Sequence, residues 1–264
     1  MSLPLFVVDA FTDKPFGGNP AGVCVLETWP SDGWLQNVGR EMNLAETAFV
    51  VRRTDTDFDL RWFTPAVEVA LCGHATLGAA HALWENDIAP RRRLKFHTQS
   101  GVLTATSLAT GIELDFPATP AAPCDPPAGL LESLGTAAAS VGRSEFDFLV
   151  EVESEAAVRG LQPDFGRLRA IGCRGVIVTA PATGYDFVSR FFAPAAGIDE
   201  DPVTGSAHCC LAEFWGEKLG KSEMVGYQAS ARGGVVRVVR SNGRVKLIGR
   251  AVLMTRGVLL VPPE

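Results

Sequence analysis

The 264-residue sequence has few of the residues that build metal centres and disulfide frameworks. It contains four histidines and six cysteines, with no Cys-x-x-Cys pair and no His-Glu-x-x-His motif. This scarcity argues against a structural zinc site. In a chain of this length, unpaired cysteines in apolar surroundings are typical of reduced thiols in a cytoplasmic protein. We therefore expect no metal and a cytoplasmic location.

Long apolar runs and an excess of positive charge are also missing. No stretch approaches the roughly 20 apolar residues that span a bilayer, and residues 1–8 lack the basic and apolar regions of a signal peptide. The net charge of −6 argues against a nucleic acid or an anionic membrane as the partner. Apolar residues, by contrast, make up 47% of the chain, enough for the packed core of one large or two smaller domains.

One pattern of residues occurs twice in the sequence. The first copy spans residues 61–76 and the second spans residues 190–208, and each predicts a strand, a proline-marked turn, a loop and an apolar helix. The two helices are expected to start at Gly73 and Gly205. Helix N-termini offer unpaired N–H groups and the positive end of the helix dipole. We therefore expect two similar half-molecules whose helix starts bind a small anionic metabolite.

A proline-rich segment, residues 117–129, divides the chain. We predict an N-terminal half, residues 1–118 joined by 254–264, and a C-terminal half, residues 119–253. The apolar segment 258–261 is expected to pair into a sheet. Buried helices among antiparallel strands predict the α+β fold class. The predicted helices are 32–42, 73–85, 130–140 and 205–216.

Glu46 stands in an otherwise apolar segment, residues 43–50. A carboxylate in such surroundings loses part of its hydration, which suits a general acid or base near neutral pH. The alternative is an outward-facing glutamate on a half-exposed strand. His74 follows Gly73 at the helix start, where it can exchange a proton or bind a substrate oxygen. Its ring can equally satisfy a neighbouring carbonyl.

The other candidates also have two interpretations each. Asp201 can orient or protonate a substrate, or it can stabilise a turn before the second helix. Ser206 can bind a carboxylate or cap the helix, and Asn19 matters only if its amide faces the substrate. Cys72, at a helix N-terminus, is either an activated thiol or a core residue. Gln228 is a secondary candidate.

Five segments of the sequence form a recognisable pattern. They are Val-Asp-Ala-Phe-Thr at 8–12, Gly-Asn-Pro at 18–20, Asn-Leu-Ala-Glu-Thr-Ala-Phe at 43–49, Cys-Gly-His-Ala-Thr at 72–76 and Asp-Pro-Val-Thr-Gly-Ser-Ala at 201–207. In their order and spacing, these segments resemble the PhzF family of phenazine-biosynthesis-like isomerases. The resemblance implies a diaminopimelate-epimerase-like fold, with two pseudo-symmetric halves, each a mostly antiparallel sheet rolled around a central helix, and an active site between them. It also implies no cofactor, no metal and a homodimer.

The resemblance further implies an isomerase that moves a proton on a small carboxylate-bearing metabolite. Glu46 matches the acid/base of the family, and residues matching His74, Asp201 and Ser206 line its site. Related epimerases and racemases use two cysteines, one in each half. Cys72 fits the first position, whereas alignment of the helix starts puts Pro202 at the second. A racemase or epimerase using Cys72, and a non-catalytic ligand-binding or interaction protein, stay open as alternatives.

Overall fold

The computed structural model describes residues 3–263. Their contacts divide into two compact units, of which the first contains the chain up to Asp115 together with the chain from Ile248 onward. The second unit is Phe116–Leu247. The sequence suggested two halves, residues 1–118 with 254–264 and residues 119–253. This division into domains stays a prediction. Among the described residues, no helix has the length and apolar character needed to cross a membrane.

Strands account for more of the described chain than helices do. In chain order, the strands are β1 (Leu3–Ala10), β2 (Asn19–Leu26), β3 (Glu46–Arg52), β4 (Asp57–Phe63), β5 (Glu68–Val69), β6 (Leu94–Thr98), β7 (Gly101–Leu108), β8 (Gly111–Pro117), β9 (Ala122–Pro123), β10 (Ser140–Arg143), β11 (Asp147–Glu151), β12 (Gly175–Pro181), β13 (Phe187–Phe192), β14 (Glu223–Gln228), β15 (Gly234–Ser241), β16 (Arg244–Gly249) and β17 (Ala251–Leu259). The helices are α1 (Asp32–Met42), α2 (Gly73–Glu85), α3 (Leu130–Leu134), α4 (Glu155–Gly160), α5 (Phe165–Arg169) and α6 (Gly205–Leu219), with a 3₁₀ turn at Pro194–Ala196.

In the first unit, a sheet surrounds the central helix α2. Ten of the 13 residues of α2 are buried, since the helix is apolar on nearly every side. It packs on β1, β2, β3 and β17. The strands follow the order β17, β1, β2, β3, β4, β6 and β7, and the pairs β2–β3 and β4–β6 are parallel while the other pairs are antiparallel.

The second unit repeats this arrangement around α6, which packs on β14 and β15. Its strands follow the order β9, β10, β11, β12, β13, β14 and β15. The pairs β11–β12 and β13–β14 are parallel, and the others are antiparallel. The succession of parallel and antiparallel pairs is therefore the same in both units, which explains the pattern repeated in the sequence.

The structure confirms most predicted elements and corrects one helix. The segments 32–42 and 73–85 are helical over the predicted residues. Near the C-terminus, β17 pairs with β1 and places Leu259 opposite Leu3, so the first two residues of the predicted segment 258–261 join the sheet and residues 260–261 lie beyond the strand. The helix predicted over 130–140 is wrong, because α3 ends before Gly135 and Ser140 already belongs to β10. Gly135 has a left-handed φ of 67°, the conformation that commonly terminates a helix.

The loop before β2 fixes the position of Asn19. Its backbone has left-handed φ values at Phe11, Phe16 and Gly18, and the Phe16 N–H donates to the Asp9 carboxylate at 2.9 Å. A Cβ at Gly18 would lie 2.1 Å from the carbonyl oxygen of Ala10. Glycine is therefore required where the chain turns into β2.

We predict that Gly18→Ala destabilises the protein by about 1–3 kcal/mol, because both the positive φ and the backbone clash oppose a side chain. Denaturant unfolding measures the change. Gly33→Ala is the matched control, since nothing lies within 4 Å of a Cβ there in α1, and alanine favours a helix over glycine by about 0.5–1 kcal/mol. A Gly18→Ala protein as stable as wild type would contradict this account of the loop.

Candidate functional site

Glu46 and His74 meet in the first unit. Glu46 opens β3 and His74 lies in the first turn of α2, with 3.1 Å between Glu46 Oε2 and His74 Nε2. The His74 side chain is 5% exposed and that of Glu46 13%. Within residues 3–263, neither of these buried atoms has an aligned hydrogen-bond partner. Each therefore keeps hydrogen-bonding capacity that a ligand can use.

The opposite edge of the His74 ring faces two further buried groups. Asn19 Nδ2 lies 3.2 Å from His74 Nδ1, and Cys72 Sγ lies 3.5 Å from the same nitrogen. An amide N–H and a thiol donate to Nδ1 when this nitrogen carries no proton. The proton of the neutral ring is then on Nε2, the nitrogen that faces Glu46.

The register of the sheet explains why these side chains converge. Strand β2 pairs in parallel with β3, and Ala21 lies opposite Glu46. Asn19, two residues before Ala21, is therefore at the same end of the sheet as Glu46. The buried helix α2 starts at this end and adds Cys72 and His74. All four side chains come from the starts of neighbouring elements in one unit.

The electrostatics favour protonation of His74. Burial alone would lower the pKa of His74, but Cys72 and Glu46 beside it raise the pKa well above its ordinary value. Burial, reinforced by Glu46, raises the pKa of Cys72 to about 11. Because this thiol keeps its proton at neutral pH, the carboxylate of Glu46 is the remaining charge beside the ring that raises the pKa of His74.

Glu46, Cys72 and His74 offer one oxygen, one sulfur and one nitrogen within 4.8 Å of one another, a donor set that zinc can use. However, Glu46 faces Nε2 of the imidazole and Cys72 faces Nδ1. A metal ion binds an imidazole through one nitrogen, and here the two possible co-ligands lie at opposite nitrogens. The geometry fits a chain of proton donors and acceptors better than a metal centre.

In the second unit, Asp201 belongs to a loop that several hydrogen bonds hold in place. The Thr204 hydroxyl donates to Asp201 Oδ2, and the fully buried Gln228 donates to the Asp201 carbonyl at 2.7 Å. Gln228 Oε1 also accepts from the Thr204 N–H at 2.9 Å. The amide of Gln228 therefore holds both ends of the loop that carries Asp201.

The start of α6 differs from that of α2. Thr204 is the N-cap of α6, as Cys72 is of α2. The equivalent of Cys72 is therefore Thr204, and the alignment that put Pro202 there is wrong. Gly205 is buried, and Ser206 occupies the position of His74, the second residue of its helix. Ser206 is thus not the N-cap; its hydroxyl contacts Arg174 at 3.0 Å.

The repeated arginines in the sequence pattern are structural. Arg61 binds both carboxylate oxygens of Glu68 at 2.7 Å. Arg190 binds Glu200 in the same way, at 2.7 and 2.8 Å. These paired bonds tie β4 to the short strand β5 in the first unit, and β13 to the loop before α6 in the second.

From the sequence, Gln228 was only a secondary candidate for the site, and Arg174 was not a candidate. Gln228 continues the period-two burial of β14, where Met224 and Gly226 are also buried, so alternation identifies it as an inward-facing polar residue. Arg174 gave no such signal, because its partners Asp147 and Ser206 are 27 and 32 residues away in the chain.

Comparison with known proteins identifies the class of this fold. A probable proline racemase from Agrobacterium radiobacter shares the fold at 13% identity, with a TM-score of 0.66 over 98% of this chain and 93% of that one. A PhzF-family protein from Enterococcus faecalis matches with a TM-score of 0.95 at 39% identity, over 99% of this chain and 100% of that one.

Sequence comparison gives the family. The PhzC-PhzF model, described as phenazine biosynthesis-like protein, matches residues 8–257. A relative from Halalkalibacterium halodurans, named as an uncharacterized isomerase, is 51% identical over 99% of this chain and 100% of its own length. The chain belongs to the PhzC-PhzF family. The predicted family, the α+β fold class and the enzyme class, an isomerase, are confirmed.

We predict that Glu46→Gln lowers the pKa of His74, because the substitution removes the charge that favours the imidazolium. Heteronuclear NMR of the imidazole nitrogens over a pH series measures this change directly. The His97 ring, which contacts Asp57 at 3.3 Å in the same unit, serves as the internal control. An unchanged His74 titration in a folded variant would show that Glu46 does not control the ring.

Proposed function

We propose that this protein is a cofactor-independent isomerase that moves a proton between two atoms of a small carboxylate-bearing metabolite, with Glu46 as the acid and base. The observation that carries the proposal is the buried contact between Glu46 and His74, whose facing atoms keep hydrogen-bonding capacity. Membership of a family whose named relatives include isomerases supports it.

In the proposed reaction, Glu46 removes a proton from a carbon next to an activating group of the substrate. The carboxylate becomes a carboxylic acid, and the substrate holds the electron pair as a delocalised anion. Glu46 then returns a proton to a different carbon, so that the carboxylate is regenerated. His74, through Nε2, donates a hydrogen bond to the charge that develops during transfer.

The remaining candidates bind and orient in this proposal. Asn19 holds the His74 ring through Nδ1, and the N–H groups at the start of α2, beginning with Gly73, contribute to anion binding. In the second unit we assign Asp201 to the orientation of the substrate. Gly205 and Ser206 are assigned to its carboxylate. Asp201 suits this role because Thr204 and Gln228 fix its position.

The proposed partner is a small anionic metabolite. The net charge of −6 supports the absence of a nucleic-acid or membrane partner. The family resemblance supports a homodimer, and the unpaired cysteines support a cytoplasmic location. Size-exclusion chromatography with light scattering tests the homodimer, for which a monomer at micromolar concentration is the contrary result.

We predict that Glu46→Gln lowers turnover about 10²–10⁴-fold, the usual contribution of a general acid or base. Small carboxylates are incubated with the protein in D₂O, and mass spectrometry follows the deuterium that enters the product. Wild type should introduce the label, and Glu46→Gln should not. The matched control is Glu41→Gln, since Glu41 is exposed at the end of α1.

Two outcomes would contradict this assignment. A folded Glu46→Gln protein that keeps full turnover would remove Glu46 as the base. If no carboxylate gains label with wild type, the non-catalytic binding protein on the same scaffold becomes the better interpretation.

A racemase or epimerase using Cys72 is the second candidate, because Cys72 Sγ lies 3.5 Å from His74 Nδ1. Two observations weigh against it. Burial keeps the Cys72 thiol protonated at neutral pH, whereas the thiolate is the reactive form. The matching N-cap in the second unit is Thr204, which has no thiol.

We predict that Cys72→Ala keeps most of the turnover and that iodoacetamide modifies Cys72 slowly at pH 7.5. The pKa of Cys72 is raised to about 11, so the thiolate fraction and the alkylation rate should rise as the pH approaches that value. Peptide mass spectrometry measures the rate. Cys24→Ala, which removes another buried thiol, is the control. Abolished turnover in Cys72→Ala, with the fold intact, would favour the thiol mechanism.

A further inference from the structure

We propose that Arg174 is a positioning residue that makes the Ser206 hydroxyl a hydrogen-bond donor to a carboxylate on the substrate. The proposal rests on the proposed function, because it concerns the residues assigned there to substrate binding. It adds a residue that the sequence pattern did not reveal, and it explains how the Ser206 hydroxyl is directed toward the carboxylate assigned to it there.

Arg174 is held rigidly in the second unit. It immediately precedes β12, and the parallel pairing of β12 with β11 places Gly175 beside Asp147. Arg174 Nε donates to Asp147 Oδ1 at 2.9 Å, and Nη2 donates to Oδ2. Asp147 is 3% exposed. The rings of Phe146 and Phe191 lie 4.9 and 5.9 Å from the guanidinium carbon. The fork-like pair and the two rings together fix the guanidinium plane.

The chemistry of the guanidinium sets the direction of its bond to Ser206. Arg174 Nη2 lies 3.0 Å from Ser206 Oγ. A guanidinium has five N–H donors and no acceptor, so Ser206 must accept in this contact. The Ser206 hydroxyl proton therefore points elsewhere. No acceptor for that proton is found among residues 3–263, so the proton is available to a ligand.

Two kinds of hydrogen-bond donor lie beside Ser206. Ser206 lies in the first turn of the 15-residue helix α6, where backbone N–H groups lack partners within the helix. The Arg174 side chain is 39% exposed and retains N–H groups beyond those bound to Asp147 and Ser206. Asp147 balances the charge of Arg174. The selectivity of this site for a ligand therefore depends on the orientation of its hydrogen-bond donors rather than on its net charge. Such a set favours a carboxylate over a carboxamide, whose NH₂ group cannot accept a hydrogen bond.

Nuclear magnetic resonance tests this proposal on the full chain without turnover. Benzoate is titrated into ¹⁵N-labelled protein while the backbone amides of Gly205 and Ser206 are observed, and benzamide serves as the uncharged isostere. We expect saturable shifts with benzoate at both amides and at least tenfold weaker binding of benzamide. Failure of the Glu46 assignment would not alter this outcome, because no proton transfer is measured.

The variants are chosen so that folding and binding are separated. Arg174→Gln alone would leave the buried Asp147 carboxylate unpaired, so Arg174→Gln is combined with Asp147→Asn. We expect the double variant to bind benzoate at least tenfold more weakly and to lose the preference over benzamide. Ser206→Ala, which leaves the ion pair intact, should also weaken benzoate binding.

Arg167→Gln is the matched control, because Arg167 is 71% exposed and pairs with Asp164 on the surface of the same unit. It should bind benzoate as wild type does. The proposal is overturned if benzoate produces no saturable shift in wild type, if benzamide binds equally well, or if Ser206→Ala and the folded double variant retain wild-type benzoate affinity.

Discussion

The contact between Glu46 and His74 is the interaction on which the rest of the candidate site depends. A carboxylate and an imidazole withdrawn from water are costly unless each meets a partner. Here the start of β3 and the start of α2 bring the two groups to 3.1 Å. Asn19 and Cys72 lie beside the other ring nitrogen, Nδ1 of His74. The ring is thereby oriented, and its Nε2 edge faces the carboxylate.

The two units share a scaffold and differ in chemistry. Both have the same succession of strand pairs around a buried helix, and both begin that helix with glycine. At the next position the first unit has His74, an ionisable group, and the second has Ser206, a neutral hydrogen-bonding group. At the N-cap, Cys72 is matched by Thr204, whose hydroxyl donates a hydrogen bond to Asp201. This chemical difference between the two helix starts favours proton transfer by one base over racemisation by two bases.

Much of the fold could be predicted from the sequence, because its signals are local. The apolar periodicity of α1, the nearly all-apolar composition of α2 and the alternation of the strands depend on near neighbours in the chain. The prediction for α3 was wrong because the left-handed Gly135 stops the helix after one short turn. Glu46 is a candidate because of its apolar setting and His74 because it follows Gly73 at a helix start, and the family resemblance points to both. Arg174 was missed because its partners are joined to it only by sheet register.

The central claim, that the Glu46 carboxylate carries the transferred proton, is tested most directly by chemical rescue. Glu46→Ala removes the carboxylate and leaves a space beside His74 in which formate can act as the base. The account predicts that Glu46→Ala is inactive and that formate restores isomerisation in a saturable manner, whereas formate has no such effect on His74→Ala. Wild-type turnover by a folded Glu46→Ala protein without formate would contradict the account.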